Sequence, residues 1–176
     1  MKQISQSEAL GKIAARVDRG HHIDDRLIRE VHAPGEIHLF AIQSQTDFLR
    51  LIWQASDSTR LLTPFGAPRT LGHVAARMVN NGWTFSSLCH LIGLPESVHN
   101  PRAFEKFKMI DEAFDSGEFG FLGLTPAVPS EQRESPTGTY YLYDGVHRSI
   151  VLAYRVLIGK SPYFPVECLL LSPRRY

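Results

Sequence analysis

The sequence predicts a mixed α+β fold, in which a small mixed sheet with a strand, turn, helix and strand core follows a mainly helical N-terminal half. Three observations predict this class. The chain of 176 residues is 43% hydrophobic and 21% charged, a composition typical of a globular protein with a buried core. Apolar residues recur at helical spacing through most of the first half. In the second half, two strand-like runs flank an amphipathic helix.

Two helices are predicted near the N-terminus. The first has Ser5 or Ser7 as its cap and ends near Gly20. Its apolar side carries Ala9, Leu10, Ile13, Ala14 and Val17. The second, IDDRLIREVH, is short and amphipathic and stops before Pro34. The run EIHLFAI that follows is too short for a helix and favours a strand.

Two further helices are predicted before residue 90. TDFLRLIWQAS returns to helical spacing, with Thr46 as the cap and Phe48, Leu51 and Ile52 pointing inward. LGHVAARMVNN is another helix, closed by Gly82. With TFSSLCHLIGL it has the outline of a helix-turn-helix, but that second helix offers almost no basic side chains to DNA. Ordinary packed helices are the favoured interpretation.

The second half alternates between helix and strand. AFEKFKMIDEAFDSGEF predicts an amphipathic helix, and FLGLTPAVPS a short strand whose prolines favour the sheet edge. GTYYLYDG is the strongest strand in the chain, VHRSIVLAYRVLIGK is a helix ended by Gly159, and SPYFPVECLLLSP supplies a buried strand. Strand, helix and strand within about 35 residues predict a crossover unit, and therefore a partly parallel sheet.

Composition restricts the classes of partner. The formal net charge is only +1, so nucleic acid is a possible partner that the overall charge does not support. Cys89 and Cys168 match no zinc or redox spacing, which favours a reducing cytoplasm. No run reaches the roughly 20 apolar residues of a membrane span, so no membrane partner is predicted. Eight histidines lack a compact ligand pattern, so metal ligands stay unknown.

The stretch YYLYDGVHRS predicts an anion site where a strand becomes a helix. The first amides of a helix are unpaired and carry partial positive charge, so phosphate or carboxylate oxygens are stabilised there. Gly145 permits a sharp turn and a close approach, while His147, Arg148 and Ser149 add hydrogen-bond donors. Asp144 either positions Arg148 or His147, helps to bind a cation, or merely caps the helix.

The same residues resemble a known family. DGVHRSIVLAY is similar to the Gly-x-His-Arg signature of the ParB/sulfiredoxin-like superfamily, in which the strand-to-helix turn binds nucleotide phosphates. LPESVHNPRAFEKFKMIDEAFDSGEF resembles the family's Asn-Pro-x-Arg-like turn and the helix after it, and FPVECLLL resembles its closing strand. The resemblance covers about residues 90–172. It implies a nucleotide-binding core at 90–176, on which a mainly helical extension at 1–89 is packed.

The resemblance implies a nucleotide-dependent enzyme that uses ATP, CTP or another nucleoside triphosphate with Mg²⁺. The superfamily also includes small-molecule and protein kinases and nucleases, so the resemblance implies a kinase or nucleotide hydrolase with a small-molecule or protein acceptor. Asp144 and His147 are the candidate catalytic residues. The candidate residues for phosphate and nucleotide binding are Gly145, His147, Arg148, Ser149, Asn100 and Arg102.

Two departures from the family narrow this expectation. Sulfiredoxins carry a catalytic cysteine directly before the His-Arg pair, and Val146 stands there in this chain, so sulfinic acid reduction is disfavoured. ParB proteins carry a helix-turn-helix domain after the nucleotide domain, whereas this chain ends at Tyr176. The alternative that stays open is a non-catalytic, nucleotide- or DNA-associated regulatory module of the ParB type.

Phosphoryl transfer also calls for a carboxylate near the γ-phosphate. Asp111 and Asp115 fall on one face of the preceding helix, with Glu112 and Glu118 close by. A solvated acidic face is the favoured interpretation for each of them. Asp144 is therefore the first acid to test.

Overall fold

A computed structural model describes residues 1–18, 23, 25–53, 62–63, 67–90, 101–115, 119–127 and 139–173. These residues form seven helices and a mixed sheet of six strands, which confirms the predicted α+β class. The helices are α1 (Gln6–Asp18), α2 (Asp25–His32), α3 (Gln45–Leu49), α4 (Leu71–Asn80), α5 (Phe85–Leu88), α6 (Pro101–Glu112) and α7 (Val146–Leu157). The strands are β1 (Lys2–Ile4), β2 (Gly35–Ile42), β3 (Ile52–Trp53), β4 (Leu122–Pro126), β5 (Tyr140–Asp144) and β6 (Val166–Pro173).

The strands lie in the order β1-β2-β6-β4-β5-β3. Antiparallel pairs join β1 to β2, β2 to β6 and β4 to β5, whereas β4 with β6 and β3 with β5 are parallel. The sheet is thus partly parallel, as predicted. Three of its strands come from residues 1–89, so the first half supplies strands as well as helices. The division of the chain at residue 89 stays a prediction.

The predicted crossover unit was wrong. Strand β4 lies between β5 and β6, antiparallel to the first and parallel to the second, so β5 and β6 run in opposite directions. The predicted edge position of β4 was also wrong, because this strand is paired on both sides. Its ladder with β6 covers Leu122 to Leu124 only, so Pro126 lies beyond it and has no amide to donate there.

The predicted helix TDFLRLIWQAS was only partly right. Ser44, not Thr46, caps α3, because its Oγ accepts a hydrogen bond from the amide of Asp47 at 3.1 Å. The helix ends at Leu49, and the next apolar residues form β3 alongside β5. Pairing with a neighbouring strand outweighs local helical spacing here, and the β-branched and aromatic residues of β3 suit a strand.

Helices cover both faces of the sheet. Helices α1 and α2 pack on one face, around Leu27, Tyr141 and Leu169, while α4 to α7 pack on the other, around Phe85 and Ile150. Helix α5, the proposed second helix of a helix-turn-helix, has four residues and buries its apolar side chains, which agrees with ordinary packing. No helix in the described residues is both long and apolar enough to cross a membrane.

The inward face of α1 differs from the prediction at one turn. Ala14 and Val17 were expected to lie on the apolar side of the helix, but both are exposed, Val17 at 50%. Arg16 is buried instead, at 2% exposure, and follows Ala9 and Ile13 along the same face. A guanidinium therefore enters the protein interior from the first helix.

A buried arginine joins α6 to α7. Arg155 is 1% exposed and donates to Asp111 Oδ1 at 2.8 Å, to Asp115 Oδ1 at 2.6 Å and to Ser161 Oγ at 2.9 Å. Asp111 and Asp115, which were candidates for a carboxylate near the γ-phosphate, therefore contact Arg155. Their interpretation as a purely solvated face was wrong in this respect, although Asp115 is 76% exposed.

Replacing Arg155 with methionine is expected to lower the free energy of unfolding by about 1.5–3 kcal/mol, because charge-assisted hydrogen bonds are lost while the aspartates regain water. Chemical denaturation measures this difference. Lys108→Met is the matched control on α6, because Lys108 makes only a 3.8 Å surface pair with Glu112. The control is expected to change stability by less than about 0.5 kcal/mol. Equal midpoints for the Arg155 variant and the wild type would contradict a joining role.

Candidate anion site at the turn after strand β5

The 144–149 turn links β5 to α7. Gly145 takes a φ of +88° and occupies the N-cap position, where it has no side chain to cap the helix. The first helical hydrogen bond runs from the amide of Ser149 to the Gly145 carbonyl at 3.0 Å. The amino end of this 12-residue helix therefore lacks a side-chain cap from its N-cap residue, and it keeps the partial positive charge of a helix amino end.

Gly145 is required by space as well as by backbone conformation. A Cβ at this position would lie 2.5 Å from Cδ2 of Leu122 and 3.1 Å from Nη2 of Arg148. A left-handed φ is unfavourable for any residue that carries a Cβ. The prediction that glycine allows a sharp turn here is consistent with both observations.

Asp144 is held by an arginine from the other end of the chain. Nη1 of Arg16 donates to Asp144 Oδ2 at 2.6 Å, and the two side chains are 2% and 5% exposed. The same Nη1 donates to the carbonyl oxygen of Phe121 at 3.2 Å. Of the roles predicted for Asp144, positioning of an arginine is the one that this geometry resembles, but the arginine is Arg16.

Sequence reasoning missed Arg16. The available signal was its spacing, because Ala9, Ile13 and Arg16 recur at helical intervals of four and three and so share one helix face. A charged residue at such a position is ordinarily assigned to the edge of the buried face. No local pattern linked it to Asp144, which lies 128 positions later.

Arg148 turns back on the segment 119–121 before β4. Its Nη1 donates to the carbonyl oxygen of Phe119 and its Nη2 to that of Phe121 at 3.3 Å, while the guanidinium lies over the Phe119 ring at 5.6 Å. The Phe121 carbonyl thus accepts hydrogen bonds from both arginines. Gly120, with a φ of +71°, fits beside them, because a Cβ there would lie 2.8 Å from Arg148 Nη1.

Two arginines and one aspartate come together at the turn. Burial and the nearby charge of Arg16 lower the pKa of Arg148 to about 10, against an opposing effect of Asp144. Arg148 therefore stays protonated at neutral pH. Among the residues that the structure describes, no carboxylate lies within salt-bridge distance of its guanidinium. We name Arg16, Asp144 and Arg148 the two-arginine cluster; it carries two positive charges and one negative charge.

The other predicted residues differ in accessibility. His147 is half-buried, and its ring centroid lies 4.7 Å from that of Phe107 on α6. Ser149 is fully buried, and its hydroxyl has no hydrogen-bond partner in the described parts of the chain. Asn100 lies outside the described residues, and Arg102 is in the first turn of α6. Ligand contacts by these four residues stay predictions.

The described acids do not assemble a Mg²⁺ site. Asp144 is paired with Arg16, Asp111 and Asp115 are paired with Arg155, and no group of three or more metal-ligand side chains occurs in the described ranges. Mg²⁺ needs several oxygen ligands, which such paired carboxylates supply poorly. The Mg²⁺ expected from the resemblance stays a prediction.

Comparison with known proteins adds no relative. No family model, no curated protein and no solved structure matches this chain. The resemblance to the ParB/sulfiredoxin-like superfamily therefore depends on the motif residues themselves.

Proposed function

We propose that this protein binds the phosphates of a nucleoside triphosphate at the 144–149 turn and uses the nucleotide in phosphoryl transfer or hydrolysis. The observation that supports this proposal is the net positive charge of the two-arginine cluster beside the uncapped amino end of α7. The motif resemblance indicates a nucleotide as the ligand. The positive charge of the two-arginine cluster is the physical reason to expect an anion there.

An unpaired guanidinium in a mostly buried place is costly unless an anion compensates it. A guanidinium carries five N–H donors, and Arg148 directs two of its nitrogens at carbonyl oxygens, so donors remain for phosphate oxygens. The amides at the start of α7 add further donors in the same region. Phosphate satisfies both sets better than a monovalent anion does, because it offers more charge and more acceptor oxygens.

If the protein is an enzyme of this kind, His147 acts as the general base that accepts the proton of the acceptor hydroxyl. The acceptor hydroxyl attacks the γ-phosphorus, its new O–P bond forms as the bond to the β-bridging oxygen breaks, and the hydroxyl proton passes to the imidazole. Asp144 then has a positioning role instead of a catalytic one, because Arg16 already neutralises its carboxylate.

The second candidate is a regulatory module that binds nucleotide without chemistry. The Arg16–Asp144 ion pair favours it, since the pair occupies one of the two predicted catalytic groups. Release of phosphate or nucleoside diphosphate, measured with and without a panel of hydroxyl acceptors, separates the two candidates. Turnover that His147→Ala abolishes while binding persists supports the enzyme, and tight binding without turnover supports the module.

Replacing Arg148 with alanine is expected to weaken the binding of ATP or CTP by at least about tenfold, since a bidentate charged contact is lost. The free energy of unfolding should fall by only about 1 kcal/mol, because neutral carbonyls are left behind. Titration calorimetry measures the affinity and chemical denaturation the stability. Arg148→Lys, which keeps the charge without the planar fork, should give an intermediate loss.

Arg50→Ala is the control for this experiment, because Arg50 is 52% exposed and makes a 3.9 Å surface pair with Asp47. Its nucleotide affinity should equal that of the wild type. If Arg148→Ala binds as tightly as the wild type, or if the wild type binds no nucleotide, the proposed site is wrong.

A further inference from the structure

We infer that Arg16, contributed by the N-terminal helix α1, is a positioning residue of the phosphate site that keeps the site cationic by neutralising Asp144. The inference rests on the proposed function and extends it to a part of the chain outside the motif. Its basis is one ion pair and one shared carbonyl oxygen.

The ion pair gives Asp144 a partner other than Arg148. Arg16 and Asp144 meet at 2.6 Å, and both side chains are nearly enclosed by protein. Charges attract strongly in such a place, because little water screens them. Arg148 instead satisfies its donors with backbone carbonyls, which carry no net charge. Its positive charge is therefore left for a ligand.

Removing Arg16 changes the summed charge of the two-arginine cluster. Asp144 already acts electrostatically on Arg148, because its charge raises the pKa of that guanidinium. Without Arg16, the negative charge of Asp144 would act only against Arg148 within the cluster, and the summed charge of the three side chains would fall from +1 to zero. The same carboxylate would also repel an incoming phosphate at the amino end of α7.

The shared carbonyl oxygen brings the two guanidiniums to the same segment of backbone. The Phe121 carbonyl accepts from Arg16 at 3.2 Å and from Arg148 at 3.3 Å. Arg16 also lies over the Phe121 ring at 4.9 Å, whereas Arg148 lies over the ring of Phe119. A phosphate held by Arg148 is therefore exposed to the charge of Arg16 through a mostly dry region, without direct contact.

A charge series tests this inference. The cluster carries +1 in the wild type, zero in Arg16→Met, +2 in Asp144→Asn and +1 in the double variant Arg16→Met/Asp144→Asn. We expect affinity to follow that order. Titration calorimetry with ATP and with inorganic pyrophosphate measures it, and thermal melting checks that each variant is folded.

Arg16→Met is expected to weaken both ligands by about tenfold or more, and Asp144→Asn to tighten them by about threefold or more. The double variant should return to within about threefold of the wild type. Arg26→Met is the matched control, because Arg26 lies over Tyr143 from the same side of the sheet but is 38% exposed and is paired with Glu30. Its affinity should be unchanged.

Each measured affinity either supports or overturns the inference about Arg16. A folded Arg16→Met protein with wild-type affinity overturns the inference, as does a double variant that stays as weak as Arg16→Met. If Arg16→Met does not fold, the other two variants decide, and an Asp144→Asn protein that fails to bind more tightly overturns the inference. A loss with Arg26→Met equal to that with Arg16→Met also overturns it. A wild-type protein that binds neither ligand overturns the proposed function itself.

Discussion

Replacing Arg16 with methionine alone is expected to lower the free energy of unfolding by about 3–5 kcal/mol, the largest effect among the changes considered. Methionine fills much of the same volume, so lost packing is a small part of this cost. The main part is electrostatic, because Asp144 is 5% exposed and would lose its 2.6 Å ion pair with Arg16. Chemical denaturation at neutral pH measures the difference.

The double variant Arg16→Met/Asp144→Asn separates the ion pair from the packing. It removes both charges, so it is expected to recover stability to within about 1–2 kcal/mol of the wild type. Lys12→Met on the same helix is the surface control, since Lys12 makes a half-exposed pair with Glu167 at 3.2 Å and should change stability by less than about 1 kcal/mol. An Arg16→Met protein no less stable than this control would show that Asp144 is satisfied without the ion pair.

Replacing Gly145 with alanine is expected to lower the free energy of unfolding by about 2–5 kcal/mol. The left-handed backbone contributes about 1–2 kcal/mol of strain. The new Cβ would also overlap Cδ2 of Leu122, which is fully buried and has little room to move, at about 1–3 kcal/mol. Nucleotide affinity should fall as well, because Nη2 of Arg148 lies 3.1 Å from the added atom.

Gly82→Ala is a matched control for this substitution. Gly82 has a φ of +63°, and a Cβ there would meet no other atom within 4 Å, so only backbone strain is expected. Its cost should be about 1–2 kcal/mol. If the two alanine variants unfold at the same denaturant concentration, the close packing of Gly145 against Leu122 contributes nothing.

Local patterns predicted most of the elements. The 3.6-residue period identified α1, α2, α4, α6 and α7, and the strand composition identified β2, β5 and β6, because each of these signals is contained in one short window. The neighbours of the strands were not predictable in this way. The place of β4 between β5 and β6, and the pairing of Ile52 and Trp53 with β5, depend on segments distant in the sequence.

The candidate site shows the same division. Gly145 and Arg148 were predicted because glycine at a strand end and a basic residue in the first helical turn are local signals. Arg16 was missed because it contacts Asp144 and the carbonyl oxygen of Phe121, both more than 100 positions away. Long-range ion pairs leave no spacing rule in a single sequence, so the charge of the site could not be counted before the fold was known.

The position of β6 has a consequence for the order of folding. This strand is the last element described along the chain, and it lies between β2 and β4. Without it, the sheet divides into a pair, β1-β2, and a trio, β4-β5-β3, that share no ladder. The emerging polypeptide therefore completes its hydrogen-bonded scaffold only after β6 has been synthesised. We expect such late, non-local closure to slow folding and to leave the facing edges of both pieces accessible to chaperones or to other chains in the meantime.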